Sequence, residues 1–373
     1  MSEARPLGVY VHWPYCARIC PYCDFNVYRD RGRAEEQATL VEAIVADLRA
    51  HAALTGPRRL VSVFFGGGTP SLMQPAWVER VLEAATSLWS AEPNLEVSLE
   101  ANPTDAEAAR FAALAAAGVN RLSLGVQALE DADLAFLGRA HGAAETLRAV
   151  DTARAAFPRL SLDLIYALPG QRPNAWAAVL ERAVALGPEH LSPYQLTIES
   201  GTAFDRAVRR GRWTPAHPDL GADLYEATQA VLSGAGFHAY EVSNHARGAA
   251  ARSRHNLVYW RGEDYVGVGP GAHGRLTLDG ARHAILAPAR PAAYVAAAGR
   301  LALQPLSARE RLDERLLLGL RIEDGVPLAE LAGLDLARIA LLEAEGLLTR
   351  DTRLRATPAG RLLLDRVTAE LLA

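Results

Sequence analysis

The sequence predicts an α/β protein, a partial (β/α)6 barrel followed by a small helical, winged-helix-like module. Three observations predict it. Short β-branched apolar runs alternate with Ala-, Leu- and Glu-rich helical stretches from Leu7 to Leu196. Chemistry-bearing residues recur at or just past the C-terminal end of each predicted strand, the rim on which barrel ligands gather. After residue 305 the chain turns Leu-rich and helical by period, with a hairpin-like interruption.

The predicted strands are Leu7–Trp13, Leu60–Phe65, Leu95–Glu100, Arg121–Val126, Leu160–Ala167 and His190–Thr197. Between them the helical period predicts Arg33–Ala53, Pro75–Ser90, Asp105–Ala117, Glu145–Ala156 and Asn174–Leu186. Gly118, Gly187 and Gly236 stand where C-terminal caps belong. Strands that alternate with helices pair in parallel through right-handed crossovers. Leu220–Gly236 reads as a further helix and Phe237–Val242 as a strand that extends the sheet. Ser253–Arg275 is dense in aromatics, His and Gly, and Ala281–Pro291 reads as a connector. In the last module Leu312–Leu320, Leu328–Leu331, Ala337–Glu345 and Pro358–Leu372 are helical by period, and Leu347–Thr357 reads as a hairpin wing. The organisation is thus a barrel over 1–240, a sheet extension over 241–304 and a winged-helix-like domain over 305–373.

The chain has 373 residues, half of them hydrophobic, enough to bury a large core. A net charge of −4 and the mixed charges of the C-terminal module argue against nucleic acid as a partner. There is no lysine, which removes P-loop and Schiff-base chemistry. No apolar run reaches the length of a membrane span, and Met1–Leu7 has no secretory h-region. The expected location is the reducing cytoplasm, where thiolates stay free for metal.

All three cysteines fall in one turn, Cys16-x3-Cys20-x2-Cys23. Three thiolates leave one thiol over from any disulfide and fall one short of a closed tetrahedral zinc site. On a 4Fe–4S cluster they leave one iron open for another ligand. The alternatives are three inert cysteines, or zinc with His12 as fourth ligand. The run Gly66–Pro70 follows the second strand and, as glycine, admits close approach and offers N–H donors to a carboxylate or phosphate. Glu100 and Asp163 suit ribose hydroxyls or an ammonium, and Arg139 suits a carboxylate.

Cys16-x3-Cys20-x2-Cys23, with Tyr22 before the last cysteine, and Gly67-Gly68-Thr69-Pro70 resemble a radical S-adenosylmethionine (radical SAM) protein. The stretches Val9–Cys16, Glu100-Ala101-Asn102-Pro103, Leu124–Gln127 and Asp163–Gln171 resemble the oxygen-independent coproporphyrinogen III oxidase family over nearly the whole chain. That resemblance implies a radical SAM barrel of the TIM type, a 4Fe–4S cluster on Cys16, Cys20 and Cys23, and S-adenosylmethionine contacts from Tyr10, Tyr22, Gly67, Gly68, Thr69, Glu100, Gln127, Arg139, Asp163, Gln195 and His273. The oxidases resemble C-x3-C-x2-C-x-C, whereas Phe25 holds the last position here, and the chain opens almost at its first strand. Both features are shared with the heme chaperone branch of the family, and His255-Asn256-Leu257-Val258-Tyr259-Trp260 is similar to its H-N-x-x-Y-W motif. That branch implies heme as cargo held at His255, Tyr259 and Trp260, delivery to recipient hemoproteins, peripheral membrane association and a homodimer. Arg252, Arg254 and Arg261 suit the propionates. Residue types alone favour His255 as a group that caps or hydrogen-bonds a loop and Trp260 as core, and the family resemblance reverses that preference.

Overall fold

A computed structural model describes residues 4–373, so the start of the Met1–Leu7 stretch lies outside the described residues. The six predicted strands all form: β1 (Pro6–Trp13), β2 (Arg59–Gly67), β3 (Ser90–Ala101), β4 (Arg121–Gln127), β5 (Arg159–Tyr166) and β6 (His190–Gln195). They pair in parallel in chain order. Two short strands, β7 (His238–Ala239) and β8 (His245–Ala246), add antiparallel beyond β6.

On the other side of β1 lies a seventh parallel strand, β9 (Asp264–Val268), inside the stretch the sequence left as aromatic- and glycine-rich. Its signal was present, because Val266 and Val268 alternate with Tyr265 and Gly267. The antiparallel strands β10 (His273–Leu278), β11 (Ala281–Leu286) and β12 (Leu303–Pro305) follow. Residues 281–286 are therefore sheet and not connector. Their Asp279-Gly280 turn, with both residues at positive φ, closes a hairpin. The full order is β12–β11–β10–β9–β1–β2–β3–β4–β5–β6–β8–β7, an open barrel wall.

Each crossover returns as a helix on the outer face. Residues 40, 41, 44, 45 and 48 of the Ala34–Thr55 helix repeat at helical spacing and are all buried in the main core. They pack with the outward side chains of the strands: Leu7, Val9, Val11 and Trp13 from β1, and Leu122, Leu124 and Val126 from β4. The caps behave as read, with Gly118, Gly187 and Gly236 at positive φ. The Asp105–Ala117 helix breaks in two, Asp105–Ala108 and Phe111–Ala116. At the break Arg110 donates to the carbonyls of Leu72 and Met73.

The alternate residues of the strands face inward, and they are not the aliphatics that fill many barrels. Gly8, Tyr10 and His12 come from β1, Ser62 and Phe64 from β2, and Glu96, Ser98 and Glu100 from β3. Arg121 and Ser123 follow from β4, Ser161 and Asp163 from β5, and His190 and Ser192 from β6. The lumen is polar from floor to rim.

The C-terminal module has its own core of Leu312, Leu316, Leu320, Ile339, Leu342, Leu354 and Val367 with their neighbours. Its helices Ala308–Gly319, Leu336–Ala344 and Leu364–Leu372 surround a three-stranded sheet whose wing is Leu348–Arg350 and Arg353–Ala356. A Ser307/Glu310 capping box opens the first of these helices. No helix among the described residues is long and apolar enough to cross a membrane.

Candidate metal centre and cofactor rim

β1 ends at Trp13 and the chain turns at once into the cysteine loop. Tyr15–Cys16 pairs in parallel with Tyr28–Arg29, which ties the loop's two ends together. Tyr28 N–H donates to Pro14 O at 2.7 Å and Asp30 N–H to Cys16 O at 2.8 Å. Inside the loop Cys23 N–H closes a turn on Cys20 O at 3.1 Å. Cys16 is buried and the other two thiols are half-buried. Burial pushes the Cys16 thiol up to about 11, and burial also raises Cys23. A bound cationic iron is what makes such thiols thiolates. Arg139 supplies the remaining positive charge, with Nη1 at 3.4 Å from Cys20 Sγ and from the Tyr22 hydroxyl.

The donor set fits a cluster better than a lone ion. His12 is occupied on both nitrogens, Nδ1 by the Tyr10 hydroxyl at 3.0 Å and Nε2 by Asn26 O at 2.9 Å. Among the described residues no three His, Cys, Asp or Glu side chains close on a single ion. A cubane carries its thiolates on separate irons, so its ligands stand farther apart than those of tetrahedral zinc.

The glycine run lies against this loop. Gly68 N–H donates to Trp13 O at 2.7 Å and Thr69 N–H to Tyr15 O at 2.8 Å, while Gly67 N–H donates to Glu100 Oε2 at 3.1 Å. The expectation that these N–H groups face a ligand is corrected here, because all three are used within the protein. The glycines are needed for proximity. A Cβ on Gly68 would sit 2.7 Å from Tyr15 O, and one on Gly67, at φ +104°, would sit 2.5 Å from the His12 ring. The run leaves no room for side chains between β2 and the cysteine loop.

Across the lumen, Glu100 and Asp163 form an acidic pair. Burial, with the Asp163 charge added, raises Glu100 to about 8. Burial raises Asp163 to about 6 against the pull of Ser123 and Arg121. Ser123 Oγ donates to both Asp163 oxygens at 3.2 and 3.0 Å. Two carboxyls that share one low-dielectric chamber favour an arriving cation, and S-adenosylmethionine is a sulfonium that also bears an ammonium. Gln127 ends β4 at φ +66°, where the register against β5 shifts, an unusual backbone for a side chain at a rim position. Arg139 also donates to Gly125 O at 2.9 Å and to Asn102 Oδ1, and its Nε is buried without a partner. Asn102 Nδ2 reaches Thr69 Oγ1 at 3.3 Å, which joins the arginine to the glycine run. Sequence reasoning does not single out Asn102, although it stands two residues after Glu100 in the Glu100–Pro103 stretch. Gln195 is exposed at the end of β6 and packs on Gly221. His273 opens β10, against Gly267 and near His12. One end of the barrel thus gathers the three thiols with Tyr10, Tyr22, Gly67, Gly68, Thr69, Glu100, Gln127 and Arg139. Asp163 lies just below, and Gln195 and His273 stand at the edges of the same rim.

The other sequence-predicted group lies elsewhere. Residues 254–260 form a helix capped by Ser253, whose first N–H groups, from Arg254 and His255, donate to Glu96 at 3.1 and 3.0 Å near the barrel floor. His255 is 1% exposed. Its Nδ1 pairs with Ser62 Oγ at 2.9 Å and its Nε2 with the Tyr259 hydroxyl at 2.6 Å. Burial takes its basicity down to about 3. Trp260 packs edge-on to Tyr240. Arg252, Arg254 and Arg261 are ion-paired with Glu323, Glu92 and Asp324. In this conformation those guanidinium groups already have anionic partners.

The Radical SAM superfamily model matches residues 10–183 and the HemN C-terminal domain model matches 306–363. Mouse "Radical S-adenosyl methionine domain-containing protein 1, mitochondrial" is 41% identical over 394 residues, covering 100% of this chain and 88% of the relative. "Heme chaperone HemW" of Mycobacterium tuberculosis is 38% identical over 376 residues, covering 99% of this chain and 95% of the relative. The solved structure of coproporphyrinogen III oxidase (HemN) from Escherichia coli, a radical SAM enzyme, matches with a TM-score of 0.79 at 22% identity, covering 99% of this chain and 90% of that one, and shows the shared fold. Radical SAM membership carries with it a 4Fe–4S cluster and S-adenosylmethionine binding. The chain belongs to the radical SAM family that contains heme chaperone HemW and its mitochondrial relatives.

Proposed function

We propose that this protein is a heme chaperone, which binds heme and passes it to recipient hemoproteins in the cytoplasm from a radical SAM scaffold. The observation that carries the reading is end-to-end kinship with proteins named heme chaperone HemW, through barrel and C-terminal module alike. Phe25 supports it, being 62% exposed at the position where the oxidases resemble a fourth cysteine.

Cys16, Cys20 and Cys23 hold the cluster, which together with bound S-adenosylmethionine supplies reductive cleavage of a sulfonium. The chain's own part is positioning. Arg139 fixes Asn102 and Gly125 beside Cys20, Glu100 braces the glycine run, and Asp163 and Glu100 offer negative charge to the cofactor's cationic groups. We assign heme to the Arg254–Trp260 helix, with His255 as axial ligand and Tyr259 and Trp260 against the macrocycle. A neutral imidazole is a good iron ligand, and burial keeps His255 neutral. Ligation requires the helix to lift, because the imidazole is buried, and the Tyr259 hydroxyl on the same helix to turn away from Nε2. Peripheral membrane association and a homodimer belong to the same proposal.

The test is one anaerobic preparation, reconstituted with iron and sulfide. Heme titration should shift the Soret band, and His255→Ala should weaken that shift. Equal heme binding by both proteins refutes the assigned ligand. Conversion of coproporphyrinogen III to protoporphyrinogen by the same sample, beside an active oxidase, would replace the chaperone reading with the oxidase reading.

A further inference from the structure

The polar lumen joins the heme-assigned helix to the cofactor rim. His255 enters from the floor because the wall there is small: its ring lies by Gly8, where a Cβ would come 3.5 Å from Nδ1, and by Ser62. Above it the ring stacks on Phe64, with centroids 5.0 Å apart, and faces Tyr10 at 6.3 Å. Phe64 and Tyr10 stack in turn at 6.2 Å. The Tyr10 hydroxyl bonds to His12, which bonds to Asn26 O at the far end of the cysteine loop. Tyr259 holds the other side of the His255 ring and packs edge-on against Tyr265 at 4.4 Å. The floor is itself anchored, since Glu96 accepts the two N–H groups that open the helix and pairs with Arg159 at 2.7 Å. An unbroken set of packed rings and hydrogen bonds therefore runs from residue 255 to the loop that carries the thiols.

We infer that His255 and Tyr259 are positioning residues for S-adenosylmethionine. They form the floor that holds Phe64 and Tyr10 in register beneath the cofactor. This rests on the reading that the rim binds S-adenosylmethionine and on no assumption about heme. Where His255 also ligates heme, the two ligands oppose each other. A helix that lifts to expose Nε2 removes the support beneath Tyr10, and by linkage each ligand weakens the other by the same factor.

The experiment measures equilibrium dialysis of labelled S-adenosylmethionine against the full-length, anaerobically reconstituted protein. It is read beside iron content and the electron paramagnetic resonance spectrum of the reduced cluster with and without S-adenosylmethionine. His255→Ala and Tyr259→Phe are expected to bind S-adenosylmethionine about tenfold more weakly, the weight of one buried hydrogen bond, at unchanged iron content and with a diminished spectral response. His255→Gln, which keeps an amide in reach of Tyr259, should recover most of the affinity. Wild-type affinity and response in Tyr259→Phe overturn the inference, even if His255→Ala fails to fold. Failure of the wild type itself to bind S-adenosylmethionine overturns instead the reading of the rim.

Discussion

Gly68→Ala tests the packing that holds the cysteine loop to the barrel. The added Cβ would stand 2.7 Å from Tyr15 O, 2.8 Å from Trp13 O and 2.9 Å from Pro14 C. All three are backbone atoms, so no side chain can swing away. Ordinary contact begins near 3.4 Å, and the two segments must part by roughly 0.7 Å. Two of these atoms, Trp13 O and Tyr15 O, are the acceptors of the Gly68 and Thr69 N–H bonds, at 2.7 and 2.8 Å, so separation stretches both. Overpacking costs about 1–3 kcal/mol, and two weakened backbone bonds add about 1 kcal/mol each at most. The expected destabilisation is about 1–5 kcal/mol, centred on the loop that carries Cys16. Anaerobic denaturant unfolding measures the first quantity, and iron per chain with S-adenosylmethionine affinity measures the second. A variant within about 0.5 kcal/mol of wild type, with full iron and full affinity, refutes the claim that this glycine is there for proximity.

Other perturbations probe the floor, the rim and the C-terminal module. Glu96→Gln removes one of two carboxylates from Arg159, which keeps Glu189 at 2.8 Å, and should cost about 1.5–3 kcal/mol in denaturant unfolding. Burial opposes ionisation of Glu96, but Arg121, Arg159 and the N–H groups of His255 and Arg254 outweigh it, so its pKa is lowered from 4.5. Its stabilisation is therefore present above that value and lost as pH falls through the lower folded one, and the acid side of the stability curve should flatten in the variant. Arg139→Met removes the donors to Asn102, Gly125 O and Cys20, and should weaken S-adenosylmethionine binding by about tenfold or more in equilibrium dialysis. Leu316→Ala, at a fully buried site, should cost about 2–5 kcal/mol through the separate C-terminal core, while cluster absorbance in native protein stays unchanged.

Much of the fold was legible because it is local. Six strands and the main helices followed from period and caps, since a strand that feeds an amphipathic helix declares itself within some thirty residues. β9 was missed because its flanks are glycine- and aromatic-rich and its partner, β1, lies about 250 residues away in sequence. The Arg254–Trp260 helix was hidden in the same stretch, although Ser253 is a good cap and His255 and Tyr259 stand four apart on one face.

The grouping of the three thiols was legible without the fold, because Cys16, Cys20 and Cys23 are close in the chain. So was the parallel barrel, and strand polarity puts the C-terminal end of every such strand on one side. Tertiary structure alone decided what the inner faces do. Whether a glycine N–H meets a ligand or Trp13 O, whether His12 is free or held by Tyr10 and Asn26, and whether His255 faces solvent or the lumen all depend on partners distant in sequence. Local propensity holds no record of those partners. Only closure of the sheet brings Ser62, Phe64 and Tyr10 around one imidazole.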